Sequence, residues 1–595
     1  MQSRTQTMID EKTQQNIDSW LAGPYDKASQ EEVLRLQKEN PEELSDAFYT
    51  HLSFGTGGLR GLMGVGTNRM NEYTVAMATQ GLANYMKKQN PTAKKLTVLI
   101  GYDTRKNSRK FAETAASVLA ANDIDVLLYK EFRSIPAVSF GVLYKKLQAG
   151  IMITASHNPP QYNGYKVYWN HGGQVVHPED TGIIDEVAKV TPDLVKKVSF
   201  PHSRITEVGE EIDEAYLKEI HKLQLHPGTN QSHGKELHIV YTSLHGGGIN
   251  MVPTALKSWG FGVITIVEEQ KATDGTFSTI KTPNPEERAT LDLGVKALAR
   301  VHGDILLATD PDVDRLAVVV MHDNQPFYFN GNEIACLALE HICRSLKEAK
   351  KMPPKPMAVK TIVTTELFRS IGDHYDLLSL DVLTGFKYIG EKIAQWEEDK
   401  LAEVQTHHFL FGAEESYGYL FGTHARDKDA IVMANLISEM ALQLKLQGKT
   451  LVDFLYEIYH KHGVFREKLF SMNFEGKKGE EKIEALMDHV RKNPPKTIGN
   501  ATVVSFEDYL THTHVFSETG HKEPIVLPSS NVLRFFLSDK TKIVIRPSGT
   551  EPKIKVYVSC FEKHFLTNKH AIEKAIKECD LRVDTYISWI KKILT

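Results

Sequence analysis

The chain has 595 residues, of which 41% are hydrophobic and 25% are charged, and its formal net charge is -4 at pH 7. A single hydrophobic core does not organise a chain of this length, so we expect about four domains. The small net charge argues against a general nucleic-acid-binding surface and against an acidic tail. The composition therefore favours a multidomain globular protein that binds no nucleic acid.

The cysteines and the N-terminus indicate the compartment. The four cysteines show no CxxC spacing and stand in apolar segments, which is typical of buried thiols in a reducing environment. The first ten residues, MQSRTQTMID, contain no apolar core of the kind found in signal peptides. No apolar run reaches the roughly 18 residues that a membrane-spanning helix needs. We expect a cytoplasmic protein that does not associate with membranes.

The chain begins with a predicted helical extension at 1–45, which is rich in Glu, Gln, Lys and Leu. Beyond it, apolar strands alternate with helical stretches in three successive blocks. This βαβ pattern predicts mainly parallel sheets covered by helices. The predicted strands lie at 96–100, 124–129, 149–153, 237–241, 263–267, 304–308, 316–320, 358–363 and 408–411, and the predicted helices include 109–121 and 331–350.

The last part of the chain has a different pattern. Short strands at 532–537, 542–545 and 554–558 follow one another without long helices, and a helix is predicted at 570–592, which together indicate an α+β domain. Candidate linkers lie at 192–201, 321–327 and 476–495. The predicted domains are the extension at 1–45, three α/β domains at 46–203, 204–322 and 323–455, and the last domain at 456–595.

The sequence TASHNP at 154–159 is the first candidate site. It follows the apolar strand predicted at 149–153, and the carboxyl end of such a strand is where open α/β sheets place their chemistry. Pro159 and Pro160 exclude a helix and predict an exposed loop. Ser156, with a histidine beside it, can carry a group that is transferred, although such a pair alone is more often an ordinary polar turn.

The second candidate site is DPDVDR at 310–315, directly after the strand predicted at 304–308. The alternate carboxylates of Asp310, Asp312 and Asp314 can converge on one cation, and hard oxygen ligands favour Mg²⁺. Without a cation, three close carboxylates would repel one another and raise their pKa values. A solvated acidic turn is the other interpretation, but the position between two apolar strands favours a metal site.

Two later loops carry groups that suit a phosphate and a sugar. RPSGTEPK offers the planar guanidinium of Arg546 and the hydroxyls of Ser548 and Thr550 to phosphate oxygens. Gly549 in the same loop allows a close approach of the backbone to an anion. GAEESYG at 412–418 carries carboxylates and a hydroxyl that can bond vicinal sugar hydroxyls. Each loop alone could be an incidental turn.

Taken in this order, the four loops resemble those of the α-D-phosphohexomutase superfamily: a phosphoserine loop, a metal loop, a sugar loop and a phosphate loop. FGTGGLRG at 54–61 and GYDTR at 101–105 extend the resemblance over about 45–560. FGTGGLRG itself lacks the GxGxxG spacing of a dinucleotide site. The resemblance implies an α/β protein with three similar mixed-sheet domains and a C-terminal α+β domain around a central cleft, with one loop from each domain.

The resemblance also implies a role for each matched residue. Ser156 resembles the serine that is phosphorylated in the resting enzyme, and His157 lies beside the transferring group. Asp310, Asp312 and Asp314 match the ligands of one Mg²⁺ per chain. An oxygen of the phosphorylated Ser156 completes that metal site.

Further residues match positions that transfer protons or bind the substrate. Arg60 and Lys166 match groups implicated in acid–base work and charge stabilisation. The chemistry favours Lys166 as the base, because an amine loses its proton more readily than a guanidinium. The residues that match substrate-binding positions are Arg315, Thr384, Gly385, Glu414, Ser416, Lys428, Arg546, Ser548, Gly549 and Thr550.

The activity that the resemblance implies is the interconversion of α-D-glucose 1-phosphate and glucose 6-phosphate, with glucose 1,6-bisphosphate as intermediate and activator. The chain length, the N-terminal extension and TGFKYIG at 384–390 resemble the longer branch of the superfamily. That branch contains bacterial phosphoglucomutases, phosphoglucomutase/phosphomannomutases and eukaryotic phosphopentomutase-like relatives. The spacing of Glu414 and Ser416 favours a hexose, and mannose phosphates are a second candidate substrate. Ala413 and Tyr388 depart from common family forms and leave the choice of sugar open.

Three alternatives accompany this expectation. A phosphopentomutase and a sugar-bisphosphate synthase are the alternatives within the superfamily. A catalytically silent sugar-phosphate-binding protein is the remote one, and the presence of Ser156, the three aspartates and Arg546 argues against it. The expected partners are small-molecule sugar phosphates, and the expected state is a monomer or a weak homodimer.

Overall fold

The computed structural model describes residues 9–55, 57–401, 407–474, 476–548, 553–563, 566 and 568–594. The chain divides into two compact units. Unit 1 comprises Met1–Asn330, Phe386–Phe411 and Ser416–Gln443, and unit 2 comprises Gly331–Gly385, Gly412–Glu415 and Leu444–Thr595.

The described residues form α-helices and β-strands that alternate through most of the chain. The helices are α1 (Glu11–Ala22), α2 (Lys27–Glu39), α3 (Pro41–Phe48), α4 (Glu72–Gln89), α5 (Ser108–Ala121), α6 (Ile135–Lys145), α7 (Glu179–Val187), α8 (Glu210–His221), α9 (Pro227–His233), α10 (Gly248–Trp259), α11 (Asp292–Arg300), α12 (Gly331–Glu348), α13 (Glu366–His374), α14 (Phe386–Leu401), α15 (Ala430–Leu446), α16 (Leu451–His462), α17 (Gly476–Lys492) and α18 (Lys569–Leu594). The strands are β1 (Gly58–Leu62), β2 (Thr97–Tyr102), β3 (Asp125–Tyr129), β4 (Ala149–Ile153), β5 (Tyr162–Trp169), β6 (Ile205–Val208), β7 (His238–Thr242), β8 (Val263–Ile266), β9 (Ile305–Thr309), β10 (Leu316–His322), β11 (Gln325–Tyr328), β12 (Pro356–Thr361), β13 (Leu378–Val382), β14 (His408–Ala413), β15 (Tyr419–Phe421), β16 (Val464–Asn473), β17 (Thr497–Ile498), β18 (Ala501–Asp508), β19 (Thr513–Phe516), β20 (Lys522–Pro524), β21 (Leu533–Leu537), β22 (Lys542–Pro547) and β23 (Lys553–Glu562).

The N-terminal extension is helical, as its composition predicts. Its three helices, α1 to α3, begin at the caps Asp10, Asp26 and Asn40, and each cap side chain accepts a hydrogen bond from a backbone N–H of the first turn. Trp20 is 1% exposed and stacks on Tyr25 with the ring centroids 3.9 Å apart. The extension therefore has an apolar core rather than being a loose tail.

The first sheet lies in unit 1 and has the strand order β1-β5-β4-β2-β3-β6. β4, β2, β3 and β6 pair in parallel, whereas β5 runs antiparallel to β1 and β4, so the sheet is mixed. All five residues of β4 are buried, which explains why an uninterrupted apolar run marks this strand in the sequence. The TASHNP segment begins directly after β4.

The second sheet also lies in unit 1 and has the order β11-β10-β9-β7-β8. β7 pairs in parallel with β8 and β9, and β10 runs antiparallel to β9 and β11. The prediction of a linker at 321–327 is wrong, because this segment forms the hairpin of β10 and β11. Its two turn residues, Asp323 and Asn324, have φ values of 48° and 60°, a left-handed conformation that Asp and Asn tolerate and that matches the twist of paired strands.

Unit 2 contains the parallel pair β12 and β13 and, in its C-terminal part, an antiparallel sheet. That sheet has the order β16-β23-β22-β21-β18-β19-β20, with β17 beside β18. The long helix α18 packs on β16 and β23. The prediction of an α+β pattern at the end of the chain is confirmed.

The linker predicted at 476–495 is also wrong, because α17 occupies most of it. Ile483, Met487 and Val490 recur at helical spacing and are buried against the rest of the domain. The glycines and lysines at the start of this segment hide the spacing in the sequence.

The fold is thus three α/β domains with mixed sheets and a C-terminal strand-rich domain, in agreement with the predicted fold class. The residue boundaries of the domains stay predictions. Within the described part of the chain, no helix has both the length and the apolar character needed to cross a membrane.

Candidate active site

Ser156 lies in the loop that follows β4, and its side chain meets the loop that follows β9. Its Oγ donates a hydrogen bond to Oδ2 of Asp310 at 3.0 Å and lies 3.2 Å from Nδ1 of His157. The φ of Ser156 is 52°, and its N–H donates to Oγ1 of Thr154 at 2.8 Å. The prediction of an exposed loop is wrong at Ser156, which is 3% exposed because these neighbours cover it.

Arg105 holds the backbone of this loop, although the sequence assigns it no role. Its guanidinium donates to the carbonyl oxygens of Ser156 and Asn158 at 2.5 Å each, of Pro159 at 2.8 Å and of Tyr162 at 3.2 Å. These bonds pair main-chain acceptors in a loop that is buried at Ser156 and partly buried at 157–160. Arg105 therefore fixes the path of the chain from the serine onward, as far as Tyr162.

Asp103 completes this support. Its Oδ2 lies 3.3 Å from Nε of Arg105 and accepts a hydrogen bond from Oγ1 of Thr154 at 2.7 Å. Its Oδ1 accepts one from Oγ of Ser108 at 2.6 Å. Burial raises the pKa of Asp103 despite the nearby guanidinium. The GYDTR sequence is the available signal for this pair, but it does not tell which carbonyl groups converge on the arginine.

Asp310, Asp312 and Asp314 come together as predicted. They are 0%, 0% and 2% exposed, and one carboxylate oxygen from each lies within 4.8 Å of the others. Oδ1 of Asp312 and Oδ1 of Asp314 are buried and have no hydrogen-bond partner in the part of the chain that the structure describes. Buried carboxylates with unpartnered oxygens fit a divalent cation that takes hard oxygen ligands, such as Mg²⁺.

The backbone of the metal loop is bent so that the carboxylates converge. Val313 has a φ of 61°, which for a β-branched residue is unfavourable by roughly 1–3 kcal/mol. Oδ1 of Asp310 accepts hydrogen bonds from the backbone N–H groups of Asp314 and Arg315 at 3.1 and 3.0 Å. The carbonyl oxygen of Val313 accepts one from the N–H of Ala430, at the start of α15. These bonds hold the strained turn in place.

Burial and like charge perturb the carboxyl groups of the triad. Burial, together with the charges of Asp312 and Asp314, raises the pKa of Asp310 well above its usual value. Burial also disfavours the charged form of Asp314, but Lys428 and Lys166 outweigh it and hold the pKa of Asp314 below its usual value. Asp310 is thus the carboxyl group whose burial and repulsion a bound cation would relieve.

Lys166, predicted to be catalytic, and Lys428, predicted to bind substrate, both lie directly against the triad. Nζ of Lys166, on β5, is 3.1 Å from Oδ2 of Asp312 and 3.6 Å from Oδ2 of Asp314. Nζ of Lys428, just before α15, is 3.2 Å from Oδ2 of Asp314. The cationic side of the centre is therefore built from two segments of unit 1 that lie far apart in the sequence.

Arg60, Arg315 and His157 complete this group. Nη1 of Arg60 donates to Oδ1 of Asn158 at 3.1 Å, and burial lowers the pKa of Arg60. The guanidinium of Arg315 forms an ion pair with Glu286. Burial, followed by the charges of Arg315 and Arg60, lowers the pKa of His157 well below its usual value, so its imidazole is neutral near neutral pH.

In unit 2, Glu414 and Gly385, which both match substrate-binding positions, lie in contact. The backbone N–H of Gly385 donates to Oε1 of Glu414 at 3.0 Å, and Glu414 is 8% exposed. Thr384, directly before Gly385, is partly buried. The hydroxyl of Thr361 donates to Oε2 of Glu415 at 3.2 Å. The two glutamates of the sugar loop are thus fixed by different donors.

Arg546 lies near the end of β22, where its Nη2 donates to the hydroxyl of Tyr557 at 3.1 Å. Nε of Arg546 is buried and makes no hydrogen bond within the described residues. This N–H of the guanidinium is therefore free to donate to an anion. Burial, with the charge of Glu415, raises the pKa of Tyr557. Tyr557 is a second residue that sequence reasoning missed, since an aromatic position on an ordinary strand carries no distinct signal.

The rest of the phosphate loop is only partly described. The N–H of Ser548 donates to the carbonyl oxygen of Lys553 at 2.8 Å, which closes the base of the loop. Gly549 and Thr550, which are predicted to bind phosphate, lie outside the described residues.

Three family models match the chain, namely the phosphoglucomutase/phosphomannomutase α/β/α domains I, II and III, at residues 51–193, 214–323 and 330–462. A phosphoglucomutase from Staphylococcus haemolyticus is 38% identical over 529 residues, which cover 86% of this chain and 91% of the relative. The chain belongs to the phosphoglucomutase/phosphomannomutase family. This agrees with the superfamily resemblance of its four loops.

One further relative and one solved structure extend the comparison. A phosphoglucomutase from Staphylococcus epidermidis is 36% identical over 543 residues, which cover 90% of this chain and 96% of the relative. The crystal structure of Paramecium parafusin, a phosphoglucomutase in an open form, matches with a TM-score of 0.63 and 16% identity over 90% of this chain and 95% of that one. At this identity the likeness to parafusin concerns the fold.

The residues that the family resemblance singles out fall into two groups. Unit 1 brings together Arg60, Ser156, His157, Lys166, Asp310, Asp312, Asp314, Arg315 and Lys428. Unit 2 contains Thr384, Gly385, Glu414, Arg546 and Ser548. Ser416 is partly buried in unit 1, and the carbonyl oxygen of the next residue, Tyr417, accepts a hydrogen bond from the N–H of Leu316 at 3.1 Å. The roles of these residues stay predictions.

Proposed function

We propose that the chain is a phosphoglucomutase that interconverts α-D-glucose 1-phosphate and glucose 6-phosphate through a phosphoserine at Ser156. The observation that carries the proposal is the hydrogen bond from Oγ of Ser156 to Asp310, inside a buried centre that also contains Asp312 and Asp314. The two staphylococcal phosphoglucomutases, at 38% and 36% identity over most of the chain, support the same reaction. The enzyme is an intramolecular phosphotransferase of the isomerase class.

Asp310, Asp312 and Asp314, with the side-chain oxygen of Ser156, would hold one Mg²⁺. When bound, this ion would neutralise charge on the phosphoryl group as the group moves. The support for this assignment is the donor set: three buried carboxylates, two of which have an oxygen without a hydrogen-bond partner among the described residues.

In the proposed cycle, phosphorylated Ser156 passes its phosphoryl group to the free hydroxyl of a sugar monophosphate. The O–P bond to the serine breaks as the O–P bond to the sugar forms, the hydroxyl proton goes to a base, and glucose 1,6-bisphosphate results. The bisphosphate then turns around and returns its other phosphoryl group to the serine. Added glucose 1,6-bisphosphate acts as the activator because it restores the phosphoserine.

The chain's own contribution to this transfer is alignment and charge stabilisation. Arg105 fixes the carbonyl groups of the serine itself and of Asn158, so Oγ keeps its direction toward Asp310. Lys166 and Lys428 place positive charge within 3.6 Å of the aspartates. These groups are in place before the substrate arrives, which lowers the reorganisation that the transfer requires.

Lys166 is the proposed base for the sugar hydroxyl, and Arg60 is the alternative. An amine gives up its proton more readily than a guanidinium, which favours Lys166. Burial lowers the pKa of Arg60, which acts in favour of the alternative. His157 lies beside the serine oxygen and is neutral near neutral pH, so it adds no positive charge there.

The sugar and its non-reacting phosphate are proposed to be held mainly by residues outside this centre, with Lys428 and Arg315 of the centre adding contacts. Arg546, Ser548, Gly549 and Thr550 bind the phosphate, and support comes from the unpartnered Nε of Arg546 among the described residues. Glu414 and Ser416 read the sugar hydroxyls, and Thr384, Gly385, Lys428 and Arg315 add further contacts. The N–H of Gly385 orients the carboxylate of Glu414 for this task.

A substrate panel tests the proposal. Glucose 1-phosphate, mannose 1-phosphate and ribose 1-phosphate are assayed with purified protein, each with and without glucose 1,6-bisphosphate. We expect the highest kcat/KM with glucose 1-phosphate, a lower value with mannose 1-phosphate, and activation by the bisphosphate. Absence of turnover with glucose 1-phosphate would contradict the proposal, and a preference for ribose 1-phosphate would favour a phosphopentomutase.

A further inference from the structure

A turn at 271–280, between β8 and α11, presents one aromatic side chain to the interior. Phe277 is fully buried and has a φ of 50°. A bulky residue rarely adopts this left-handed conformation, because its Cβ crowds the backbone. Such strain persists only where surrounding contacts impose it, and it concentrates at functional positions.

The turn has its own scaffold, which holds Phe277 in this conformation. The carboxylate of Asp274 accepts hydrogen bonds from the backbone N–H groups of Thr276 at 2.8 Å and Ser278 at 3.1 Å. The ring of His245 lies between the two sides of the turn, 2.8 Å from the carbonyl oxygen of Ala272 and 2.8 Å from Oγ1 of Thr279. The turn is therefore a defined element and not a loose connection.

The tip of the turn packs against the segment that contains Arg105. Cζ of Arg105 lies 5.0 Å from the centroid of the Phe277 ring, within the range of a cation–π contact. The backbones are also close at Gly275, where a Cβ would lie 2.6 Å from the N of Lys106 and 2.9 Å from the carbonyl oxygen of Thr104. A glycine is required for this approach.

Arg105 is the residue that fixes the loop of Ser156, through the carbonyl oxygens of Ser156 and Asn158. We propose that Phe277 is a positioning residue for phosphoryl transfer, which acts through Arg105 to hold Ser156 in its transfer position. The consequence for the reaction rests on the proposed phosphoglucomutase function. The consequence for the Ser156 loop does not, because it concerns the path of the backbone alone.

An ordinary core phenylalanine would pack on aliphatic side chains and would not need a strained backbone. Phe277 instead contacts a guanidinium whose N–H groups are directed to main-chain oxygens. The ring covers the guanidinium without competing for those donors, because a π face accepts no strong hydrogen bond. This lets the same arginine be shielded from water and keep its bonds to the loop.

The test compares Phe277→Leu with the matched control Phe261→Leu. Phe261 is equally buried and lies between α10 and β8 of the same domain. With glucose 1-phosphate and glucose 1,6-bisphosphate, we expect Phe277→Leu to lower kcat about tenfold, with KM changed less than about threefold, because alignment rather than binding is lost. Phe261→Leu should keep the wild-type kcat. Equal kcat values for the two variants would overturn the proposal.

Two further variants keep the test decisive if Phe277→Leu does not fold. Gly275→Ala pushes the turn away from the backbone of Lys106, and we expect the same loss of kcat. In a double-mutant cycle, Phe277→Leu added to Arg105→Lys should cause less than about a twofold further loss, because both changes act on one contact. An unchanged kcat in Gly275→Ala, or a full multiplicative loss in the double variant, would overturn the proposal.

Hydrogen exchange separates this proposal from the proposed function. We expect the backbone amides of 154–158 to exchange about tenfold faster in Phe277→Leu or Gly275→Ala than in the wild type and in Phe261→Leu, because the loop is less firmly held. Unchanged exchange would overturn the positioning role. Faster exchange in a protein that does not turn over glucose 1-phosphate would contradict the mutase function but would support the positioning role.

Discussion

The Oγ of Ser156 and the Oδ2 of Asp310, separated by 154 residues in sequence, are joined by a 3.0 Å hydrogen bond. The serine follows β4 of the first sheet, and the aspartate follows β9 of the second. Both strands are fully buried, and both pair in parallel with a neighbouring strand. The centre is therefore assembled from the carboxyl ends of strands in two different sheets, which is where α/β folds place their chemistry.

Ser156→Ala should abolish mutase turnover, because no other group at this position can carry the phosphoryl group. The variant loses the hydrogen bond to the buried Asp310 and the contact with Nδ1 of His157, so we expect the free energy of unfolding to fall by about 1–3 kcal/mol while the fold is kept. Turnover of glucose 1-phosphate and intact mass after incubation with glucose 1,6-bisphosphate check this. Ser117→Ala, at an equally buried serine of α5, is the control and should gain the mass of a phosphoryl group as the wild type does. Wild-type turnover of Ser156→Ala would show that transfer through this serine is the wrong mechanism.

Mg²⁺ should bind to the triad and stabilise the protein. At a concentration about 100 times its dissociation constant, a ligand of the folded state adds roughly 2.7 kcal/mol, so the thermal midpoint should rise with added Mg²⁺. Asp312→Asn should lose this rise, and chelation by EDTA should remove turnover in the wild type. Asp323→Asn changes an exposed carboxyl group of the β10–β11 turn and should keep the Mg²⁺-dependent rise. An equal rise in both variants would place the cation elsewhere.

The sequence predicts the chemistry at Ser156 and Asp310 because the strands before them are apolar without interruption. A buried parallel strand followed by polar residues is visible in one chain without any knowledge of its partners. The role of Arg105 is not visible in this way. It depends on four carbonyl oxygens converging on one guanidinium, and main-chain atoms have no sequence signature.

The two mistaken linkers have a similar cause. At 321–327 the polar turn residues Asp323 and Asn324 interrupt an apolar pattern, although they are the residues that a tight hairpin requires. At 476–495 the charged face of α17 outweighs its narrow apolar stripe. Local composition was misleading in both places because the stabilising partner lies on another element.

Arg546→Lys should raise the KM for glucose 1-phosphate about tenfold or more, because an ammonium cannot present the planar pair of donors that a phosphate accepts. Phosphorylation of Ser156 by added glucose 1,6-bisphosphate should persist, since the reacting groups are unchanged. Steady-state kinetics and intact mass measure the two effects. Arg582→Lys, on α18, is the control and should keep the wild-type KM. A loss of phosphorylation that matches the loss of substrate binding would instead indicate a structural role for Arg546.

Lys166→Arg separates the two roles proposed for this residue. An arginine preserves a positive charge near Asp312 and Asp314 but gives up its proton far less readily than a lysine. If Lys166 is the base, kcat should fall by about 10²–10⁴-fold, the usual contribution of a general base. The kcat of Arg60→Lys is measured in the same assay, and we expect it to fall less than that of Lys166→Arg. Near-wild-type kcat in Lys166→Arg would assign Lys166 to charge stabilisation and favour Arg60 as the base.

Unit 2 contains a buried lysine whose pKa is lowered. Lys542 is 3% exposed, and its Nζ donates to Oε1 of Glu366 at 2.8 Å and to the carbonyl oxygens of Thr364 at 2.7 Å and Ile362 at 3.1 Å. Burial lowers the pKa of Lys542 to about 8, although Glu366 favours the charged form. The positive charge of the nearby Lys360 also lowers the pKa of Lys542.

This shift predicts a pH dependence of stability with a definite sign. In the unfolded chain a lysine has a pKa of about 10.4, so between pH 8 and 10.4 the unfolded state binds the extra proton and the folded state does not. The contribution of Lys542 to the free energy of unfolding therefore rises with pH in this window. Between pH 8 and 9.5, the free energy of unfolding of the wild type should rise by about 1–2 kcal/mol relative to that of Lys542→Met. Calorimetric unfolding at the two pH values measures this difference. Lys522→Met, at an exposed position of β20 in the same sheet, should show no such gain, and an equal change for both lysines would contradict the assignment.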